Sequence, residues 1–398
     1  MDQYPSVCMV GLGYIGLPTA ALMAGKGIHV TGVDINPDVV DTINAGKIHI
    51  VEPDLEGLVH YAVKEKLLVA RTRPVPADVY LIAVPTPFKN DHHPDISYVE
   101  DAVKSVVPMM QPGSLMIIES TSPVGTTDQM AALIYEMRPE LKGKISLAYC
   151  PERVLPGKVI YELEQNDRVI GGHDSSSTEM ACEFYARFVK GKLWQTNART
   201  AEMCKLVENA SRDVNIAFAN ELSLICDEAG IDVYELIQLA NRHPRVNILT
   251  PGPGVGGHCI AVDPWFIASE FPEKAKIIRL SREVNRYKTD WVVEKITNEA
   301  LRFEKENSRA PVIACLGLAF KPDIDDLRES PALEIAHKIN SSEFRVLAVE
   351  PNIDKLPGFE LVTPEEALQQ ADIVALLVAH KEFKSLPDKA QYLNFCGV

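Results

Sequence analysis

The sequence predicts an α/β protein: two Rossmann-like, doubly wound parallel-sheet domains joined by a long central helix. Three observations carry this. Short apolar runs at 6–10, 29–33, 79–84, 115–119, 145–149 and 168–170 alternate with helical or loop-forming stretches, as buried parallel strands do. A helical pattern then holds from 200 to 229, about 45 Å at 1.5 Å per residue and enough to link two domains. After a charged linker at 304–309, strands at 311–316, 345–350 and 373–379 begin the alternation again. A chain of 398 residues exceeds one compact core, which suits the division.

The first strand runs into Gly11-Leu12-Gly13-Tyr14-Ile15-Gly16, after which Pro18 opens an Ala/Leu/Met helix, and the second strand ends at Asp34. Strand, G-x-G-x-x-G, helix, strand and acid in that order form a dinucleotide fingerprint with its context intact. Gly11 makes the turn, Gly13 admits the pyrophosphate, and Gly16 lets helix and strand pack. The phosphates sit on the helix N-terminus, where unbonded N–H groups and the dipole attract them. Asp34 accepts from ribose hydroxyls and repels a 2′-phosphate, so the expected cofactor is NAD rather than NADP.

Later strands end in Pro85-Thr86-Pro87, Ser120-Thr121-Ser122-Pro123 and Cys150-Pro151-Glu152-Arg153. Ligands of open parallel sheets bind beyond the carboxyl ends of the strands, which puts Thr86, Thr121 and Glu152 towards the reactive end of the cofactor. In the long helix, Thr200 is the expected N-cap and Gly230 the stop. Lys205, Asn209 and Arg212 fall at i, i+4 and i+7 on one stripe suited to an anionic, hydroxyl-rich ligand. Leu206, Val207, Ile216, Phe218 and Leu222 indicate that much of the helix is packed.

A short helix at 233–241 leads through Arg242-His243-Pro244-Arg245-Val246-Asn247 to PGPGVGGHCIAVDP (251–264). Four glycines and two prolines within 251–257 forbid a helix or central strand and build a loop whose backbone can approach a ligand. At its end stands Cys259, with Asp263 four residues on, a candidate nucleophile. A second long helix follows at 274–302. The last strand–turn–helix unit lacks the full glycine fingerprint and should bind a nucleotide less closely, or none. Its turn carries Lys321, Asp323, Asp325, Asp326, Arg328 and Glu329.

Composition narrows the function. A formal net charge of -15 argues against a nucleic-acid or anionic-membrane surface, though local Lys and Arg can still hold an anionic ligand. The eight cysteines form no C-x-x-C and no zinc spacing with His, so no metal is expected and a reduced, cytoplasmic chain fits best. Asp2 stands where a secretory leader would be basic, and no apolar run is long enough to span a bilayer.

NAD beside a covalent thiol implies oxidation past the aldehyde, since simple alcohol dehydrogenation needs no nucleophile. Here the chain resembles the UDP-glucose/GDP-mannose dehydrogenase family over nearly its whole length. The resemblance rests on GLGYIGLPTA (11–20), VDIN (33–36), VEPDLEGLV (51–59), AVPTPFK (83–89), ESTSPVGTT (119–127), YCPERVLPGK (149–158), NDRVIGG (166–172), AEMCKLVEN (201–209), NRHPRVNIL (241–249), GPGVGGHCIAVDPWF (252–266) and GLAFKPDIDDLRESPA (317–332). PERVLPGK and NRHPRVN resemble the branch acting on N-acetylhexosamines.

The resemblance implies four-electron oxidation of a UDP-sugar at C6, with UDP-N-acetyl-D-mannosamine ahead of UDP-glucose, UDP-N-acetylglucosamine or GDP-mannose. A nucleotide sensor without turnover is the reading from another class. Cys259 would be the nucleophile; Lys205, Asn209 and Asp263 would assist proton removal; Glu152 and Thr121 would serve thioester hydrolysis. Tyr14, Ile15, Asp34, Thr86, Thr127 and Arg328 would contact NAD. Arg153, Val154, Lys205, Asn209, Arg212, His243, Arg245, Gly256 and Lys321 would contact the UDP-sugar. The implied domains are an NAD-binding 1–196, a central dimerisation segment 197–303 and a UDP-sugar-binding 304–398, in a homodimer where Arg245 reaches the neighbouring site. Relatives run slightly beyond Val398, so the last element is expected to be trimmed.

Overall fold

The computed structural model of the chain describes residues 5–89, 93–155, 157–342, 344–387 and 392–397. The chain forms two compact units, Met1–Val207 and Glu208–Val398. In the first, β1 (Val7–Val10), β2 (Val30–Val33), β3 (Leu68–Arg71), β4 (Val79–Ile82), β5 (Leu115–Ile118), β6 (Ser146–Tyr149), β7 (Arg168–Gly172) and β8 (Leu193–Asn197) make one sheet. Its order is β3-β2-β1-β4-β5-β6-β7-β8. Every residue of β1, β4, β5 and β6 is buried, which is why these strands read as unbroken apolar runs.

Alternate residues serve opposite faces. Val7, Met9, Val79 and Leu81 join Leu17, Met23, Leu55, Val59 and Tyr185 on one side. Cys8, Val10, Tyr80 and Ile82 join Val99, Val103, Met130 and Ile134 on the other. Helices therefore cover both faces, and each fully buried apolar side chain contributes about 1.5–3 kcal/mol. The sheet departs from the expected parallel arrangement once: β7 runs antiparallel to β6, through Ala148↔Gly172 and Tyr149↔Gly171.

In the second unit, β9 (Val312–Leu316), β10 (Arg345–Val349), β11 (Ile373–Leu376) and β12 (Tyr392–Asn394) form a sheet in the order β10-β9-β11-β12. All neighbouring strands are parallel. Val292, Ile296 and Ala300 of the helix Lys276–Asn307 pack with Ile313, Cys315, Ile335 and Ile339 on one face. Leu316, Val349, Leu368, Leu376 and Phe383 fill the other.

The central helix, Ala198–Ala229, has 32 residues, about 48 Å, and the division between the units falls within it. Three expectations need correction. The cap is Asn197, whose side-chain oxygen accepts from the Thr200 N–H at 2.9 Å, so Thr200 lies inside the first turn. Val207 and Phe218 are 41% and 52% exposed rather than packed in the single chain. The supposed linker at 304–309 is mostly helix, because Glu, Lys and Arg are strong helix formers; the helix stops only at Ser308, with φ 54°. Among the described residues no helix is long and apolar enough to cross a membrane.

Candidate active site

The first unit carries the dinucleotide end. Gly11 has φ +94°, and a Cβ on it would lie 2.3 Å from the Ala83 carbonyl oxygen, at the crevice between the ends of β1 and β4. A Cβ on Gly16 would lie 1.8 Å from the Gly11 carbonyl oxygen. Gly13 differs, since a Cβ there would meet nothing within 4 Å. Two glycines are thus required by the turn itself and the third leaves open space, which fits a pyrophosphate at the start of the helix Gly16–Gly25. Asp34 accepts from the Leu12 N–H at 3.1 Å and the Asn36 N–H at 2.9 Å, so the acid is fixed against the loop it serves. Tyr14 is exposed and Ile15 half-buried beside it. These residues fit NAD.

Beyond β4 and β5, the Thr86 hydroxyl donates to the Thr121 carbonyl at 2.7 Å, and Ser120 bonds both the N–H and the carbonyl of Val84. Thr127 is fully buried, and its N–H and hydroxyl both bond Glu202, at 2.8 and 2.7 Å. Glu152 and Arg153 stand on a loop held at several points. The Glu152 carboxylate accepts from the Arg153 N–H at 2.6 Å and from Arg168. Arg153 Nη2 donates to the Asp167 carbonyl, and Leu155 N–H donates to Glu162 at 2.8 Å. Glu52 clamps the far end, accepting from Gly157 N–H at 2.9 Å and Val159 N–H at 2.8 Å. Val154 packs partly against the core between these anchors.

On the central helix Lys205 and Asn209 are half-buried and Arg212 exposed, one turn apart along a face. In the second unit Asn209 Nδ2 donates to Asp263 Oδ2 at 2.6 Å, and Asp263 is 3% exposed. Cys259 lies one turn before it; the Cys259 carbonyl accepts from the Asp263 N–H at 2.8 Å as the helix Asp263–Glu270 begins. Cys259 is half-buried, whereas Cys8, Cys150, Cys182, Cys226 and Cys315 are buried. Burial pushes the Cys150 and Cys315 thiols up to about 12, which makes them inert packing groups.

The glycines of the cysteine loop serve the protein's own packing more than open approach. A Cβ on Gly254 would meet Thr289 Oγ1 at 2.4 Å, and one on Gly256 would meet the Glu329 carbonyl oxygen at 2.3 Å. Gly257 has φ +84° and lies against the Phe320 ring. Its N–H donates to the Arg328 carbonyl at 3.1 Å, so the loop is mounted on the segment after β9 that also carries Lys321. The Arg328 guanidinium grips Asp326, and Lys321 is exposed. Upstream, Asn241 closes the exposed stretch that holds His243 and Arg245 by bonding both the N–H and carbonyl of Ile248, at 2.7 and 2.9 Å.

Sequence reading missed the supports: Glu52, Arg168, and a buried network in which Asn220 accepts from Gly252 N–H at 2.9 Å and donates to Asn285 at 2.9 Å, which in turn donates to Asp213 at 2.8 Å. Polar residues placed inside otherwise apolar helix and strand patterns were the available signal. Asp323, His380 and Glu382 converge within 4.8 Å as a metal site would, but the His380 nitrogens are engaged by Asp323 N–H and Glu350.

Comparison with known proteins finds three matches along the chain. Residues 5–189 match the NAD binding domain of the UDP-glucose/GDP-mannose dehydrogenase family, 199–287 its central domain, and 314–395 its UDP binding domain. The chain is 55% identical over 413 residues, covering 100% of both, to a UDP-N-acetyl-D-mannosamine dehydrogenase of Campylobacter jejuni. It is 54% identical to an NDP-N-acetyl-D-galactosaminuronic acid dehydrogenase of Ralstonia nicotianae, covering 96% of this chain and 93% of that one. The solved UDP-N-acetyl-mannosamine dehydrogenase of Staphylococcus aureus superposes with a TM-score of 0.86 at 42% identity, over 96% of this chain and 91% of that one.

Proposed function

Because the chain belongs to the UDP-glucose/GDP-mannose dehydrogenase family, and is an NAD-dependent nucleotide-sugar dehydrogenase, we propose that it oxidises UDP-N-acetyl-D-mannosamine at C6 to the uronate, in two two-electron steps. The observation that carries the chemistry is the setting of Cys259: a half-buried thiol one turn before the Asn209–Asp263 pair, in a chain whose other cysteines are mostly buried. Bound to the first unit, NAD supplies the hydride acceptor for both oxidations.

In this reading Lys205, Asn209 and Asp263 take up the hydroxyl proton through a water and hold the developing oxyanion. At the aldehyde stage the Cys259 sulfur adds to C6 as a thiohemiacetal, and after the second oxidation the same carbon is a thioester. Water ordered by Thr121 gives a proton to Glu152 as it adds; the C–S bond then breaks, restoring the thiolate and releasing the carboxylic acid, which gives its remaining proton to solvent. Tyr14, Ile15, Asp34, Thr86, Thr127 and Arg328 are assigned to NAD. Arg153, Val154, Arg212, His243, Arg245, Gly256 and Lys321 join the Lys205 stripe as contacts to the UDP-sugar.

The segments 1–196, 197–303 and 304–398 are assigned NAD binding, dimerisation with the thiol loop, and UDP-sugar binding. A cytoplasmic homodimer is part of the reading, supported by exposed apolar residues on the long helices: Phe218, Ile225, Ile277 and Leu280 are 52%, 56%, 69% and 58% exposed. Arg245, exposed in the single chain, would reach the neighbouring site, and the uronate would enter surface-polysaccharide assembly. The Ralstonia relative supports a second reading, a galacto-configured N-acetylhexosamine.

The test is a panel of UDP- and GDP-sugars with NAD, measuring NADH per sugar consumed and the acid product. Two NADH and one acid from UDP-N-acetyl-D-mannosamine, with the best kcat/KM of the panel, is the expected result. One NADH with accumulating aldehyde overturns the covalent scheme, and a better kcat/KM on another sugar overturns the substrate.

A further inference from the structure

Beneath the loop that carries Glu152 lies a buried ionic cluster of which the proposed scheme uses Glu152 alone. Glu119, the residue after β5, is 4% exposed, Glu152 7% and Arg168, on β7, 2%; Tyr185 and Cys150 are fully buried. Arg168 Nη1 donates to Glu152 Oε2 at 2.5 Å and Nη2 to the Leu163 carbonyl at 3.0 Å. The guanidinium also lies 5.6 Å from the centre of the Tyr185 ring, whose hydroxyl donates to Glu119 Oε1 at 2.6 Å. Among the described residues, Glu119 Oε2 and Arg168 Nε have no hydrogen-bond partner.

Two carboxylates and one guanidinium, all ionised in so dry a space, leave one negative charge unmatched. Geometry decides which carboxyl is favoured as the anion: Glu152 has the direct bond to Arg168, and Glu119 has only a neutral phenol. We propose that Arg168 is a positioning residue for Glu152, holding its carboxylate ionised and in one orientation for thioester hydrolysis, and that Glu119 is a second acid governed by the same guanidinium. This rests on the reading of Glu152 as the group that takes the proton of the attacking water.

Burial lifts Glu119 to about 7 against the pull of Arg168 and Tyr185, with Glu152 adding to the lift. Three other titratable groups facing it keep their state near neutrality. Burial pushes Cys150 up to about 12 and Tyr185 well above its usual range, and Arg168, disfavoured by burial but held by Glu152, keeps its charge. Below neutrality the cluster is balanced by one Arg–Glu152 pair. When Glu119 loses its proton the guanidinium is shared between two anions, and its hold on the Glu152 carboxylate loosens, leaving that carboxylate freer to meet the attacking water.

Single-turnover release of the uronate, with the first oxidation followed separately, tests this across the neutral pH range in the wild type and in Glu119→Gln, Arg168→Lys and Glu152→Gln. Acid release should rise with pH through neutrality in the wild type and lose that rise in Glu119→Gln, an isosteric change that keeps the Tyr185 partner. Arg168→Lys, which keeps the charge and loses the fork, should slow acid release by about 10²-fold while leaving the first oxidation unchanged. The proposal fails if Glu119→Gln keeps the wild-type pH profile, or if Arg168→Lys slows oxidation and hydrolysis equally. Slow release in Glu152→Gln beside unaffected Glu119→Gln and Arg168→Lys sinks this proposal alone. Wild-type release in Glu152→Gln sinks the underlying reading with it.

Discussion

Replacing Gly256 with alanine separates two uses of a glycine in the cysteine loop. A Cβ there would sit 2.3 Å from the Glu329 carbonyl oxygen, 2.8 Å from Pro331 Cδ and 2.9 Å from Phe320 Cβ. The nearest atom is backbone and cannot rotate away, and relaxed contacts are about 3.5 Å or more, so one segment must move by about 1 Å. Overpacking of this kind costs about 1–3 kcal/mol. At about 2–4 °C per kcal/mol for a unit of this size, Tm should fall by about 2–12 °C. Cys259 is three residues on, and a displacement near 1 Å at the reacting group costs about 10²-fold in turnover. Gly252→Ala is the control, because its nearest atom, the Gly254 carbonyl oxygen, is 3.9 Å away; it should shift stability by less than about 0.5 kcal/mol. Thermal unfolding and steady-state NADH formation read both variants. If Gly256→Ala melts with the wild type and only KM rises, the glycine serves a ligand and the packing account is wrong.

Cys259→Ser should keep the fold and lower acid formation by about 10³-fold or more, read as uronate released; turnover at the wild-type rate would remove the nucleophile. Asp34→Ala, which also deprives Leu12 N–H of its acceptor, should weaken NAD use by about tenfold and narrow the preference over NADP; an unchanged ratio of the two kcat/KM values counts against the ribose assignment. Glu350 gives a pH dependence: burial pushes its carboxyl up, but the His380 imidazole and the Leu318 and Ala319 N–H groups outweigh burial and bring it down to about 2. A folded value below the unfolded one means stability present above about 4.5 and lost as pH falls towards about 2, on the order of 3 kcal/mol. Denaturant unfolding across that window should slope for the wild type and flatten for Glu350→Gln, and parallel curves would refute the linkage.

What the sequence disclosed was whatever repeats at short range. Strands buried on both faces appear as apolar runs, the glycine turn needs its residues at fixed spacing, and the Lys205 stripe follows from helical geometry. What escaped it has identifiable causes. β8, Leu-Trp-Gln-Thr-Asn, has no buried residue and shows no apolar run, and β3, half-exposed with Val69 and Arg71 outward, has only the short run Leu67–Ala70 between charged residues. The antiparallel β7 could not be read because pairing direction leaves no mark on four or five residues. Val207 and Phe218 are apolar and exposed, which composition cannot distinguish from apolar and buried. The struts of the site join residues far apart in the chain: Glu52 holds an N–H 107 positions on, and Asn285 meets Asp213 across 72. Periodicity has no access to such pairs. A polar or charged residue in an otherwise apolar element, as Arg168 is at the start of β7, was the local sign of a buried partner.

The two sheets also show how one turn is kept while its chemistry changes. Gly11 and Gly317 have φ of +94° and +85°, and each donates its N–H at 2.8 Å to the residue ending the neighbouring strand, Val33 or Val349. The acid after that strand accepts from the next N–H in both, Asp34 from Leu12 at 3.1 Å and Glu350 from Leu318 at 2.7 Å. There the likeness ends. Asp34 is half-buried at the edge of its loop, whereas Glu350 is 4% exposed and also accepts from Ala319 and from both Asn352 N–H groups, with His380 Nε2 3.0 Å away. A carboxylate so fully engaged has nothing left for a ribose. It has become a strut for the turn that leads to Lys321, and the His380 ring extends the strut by accepting from Asp323 N–H at 2.9 Å. The second half thus keeps the glycine geometry to hold a loop in place, and the proposed ligand contact there falls to Lys321, an exposed side chain of that loop, rather than to the acid.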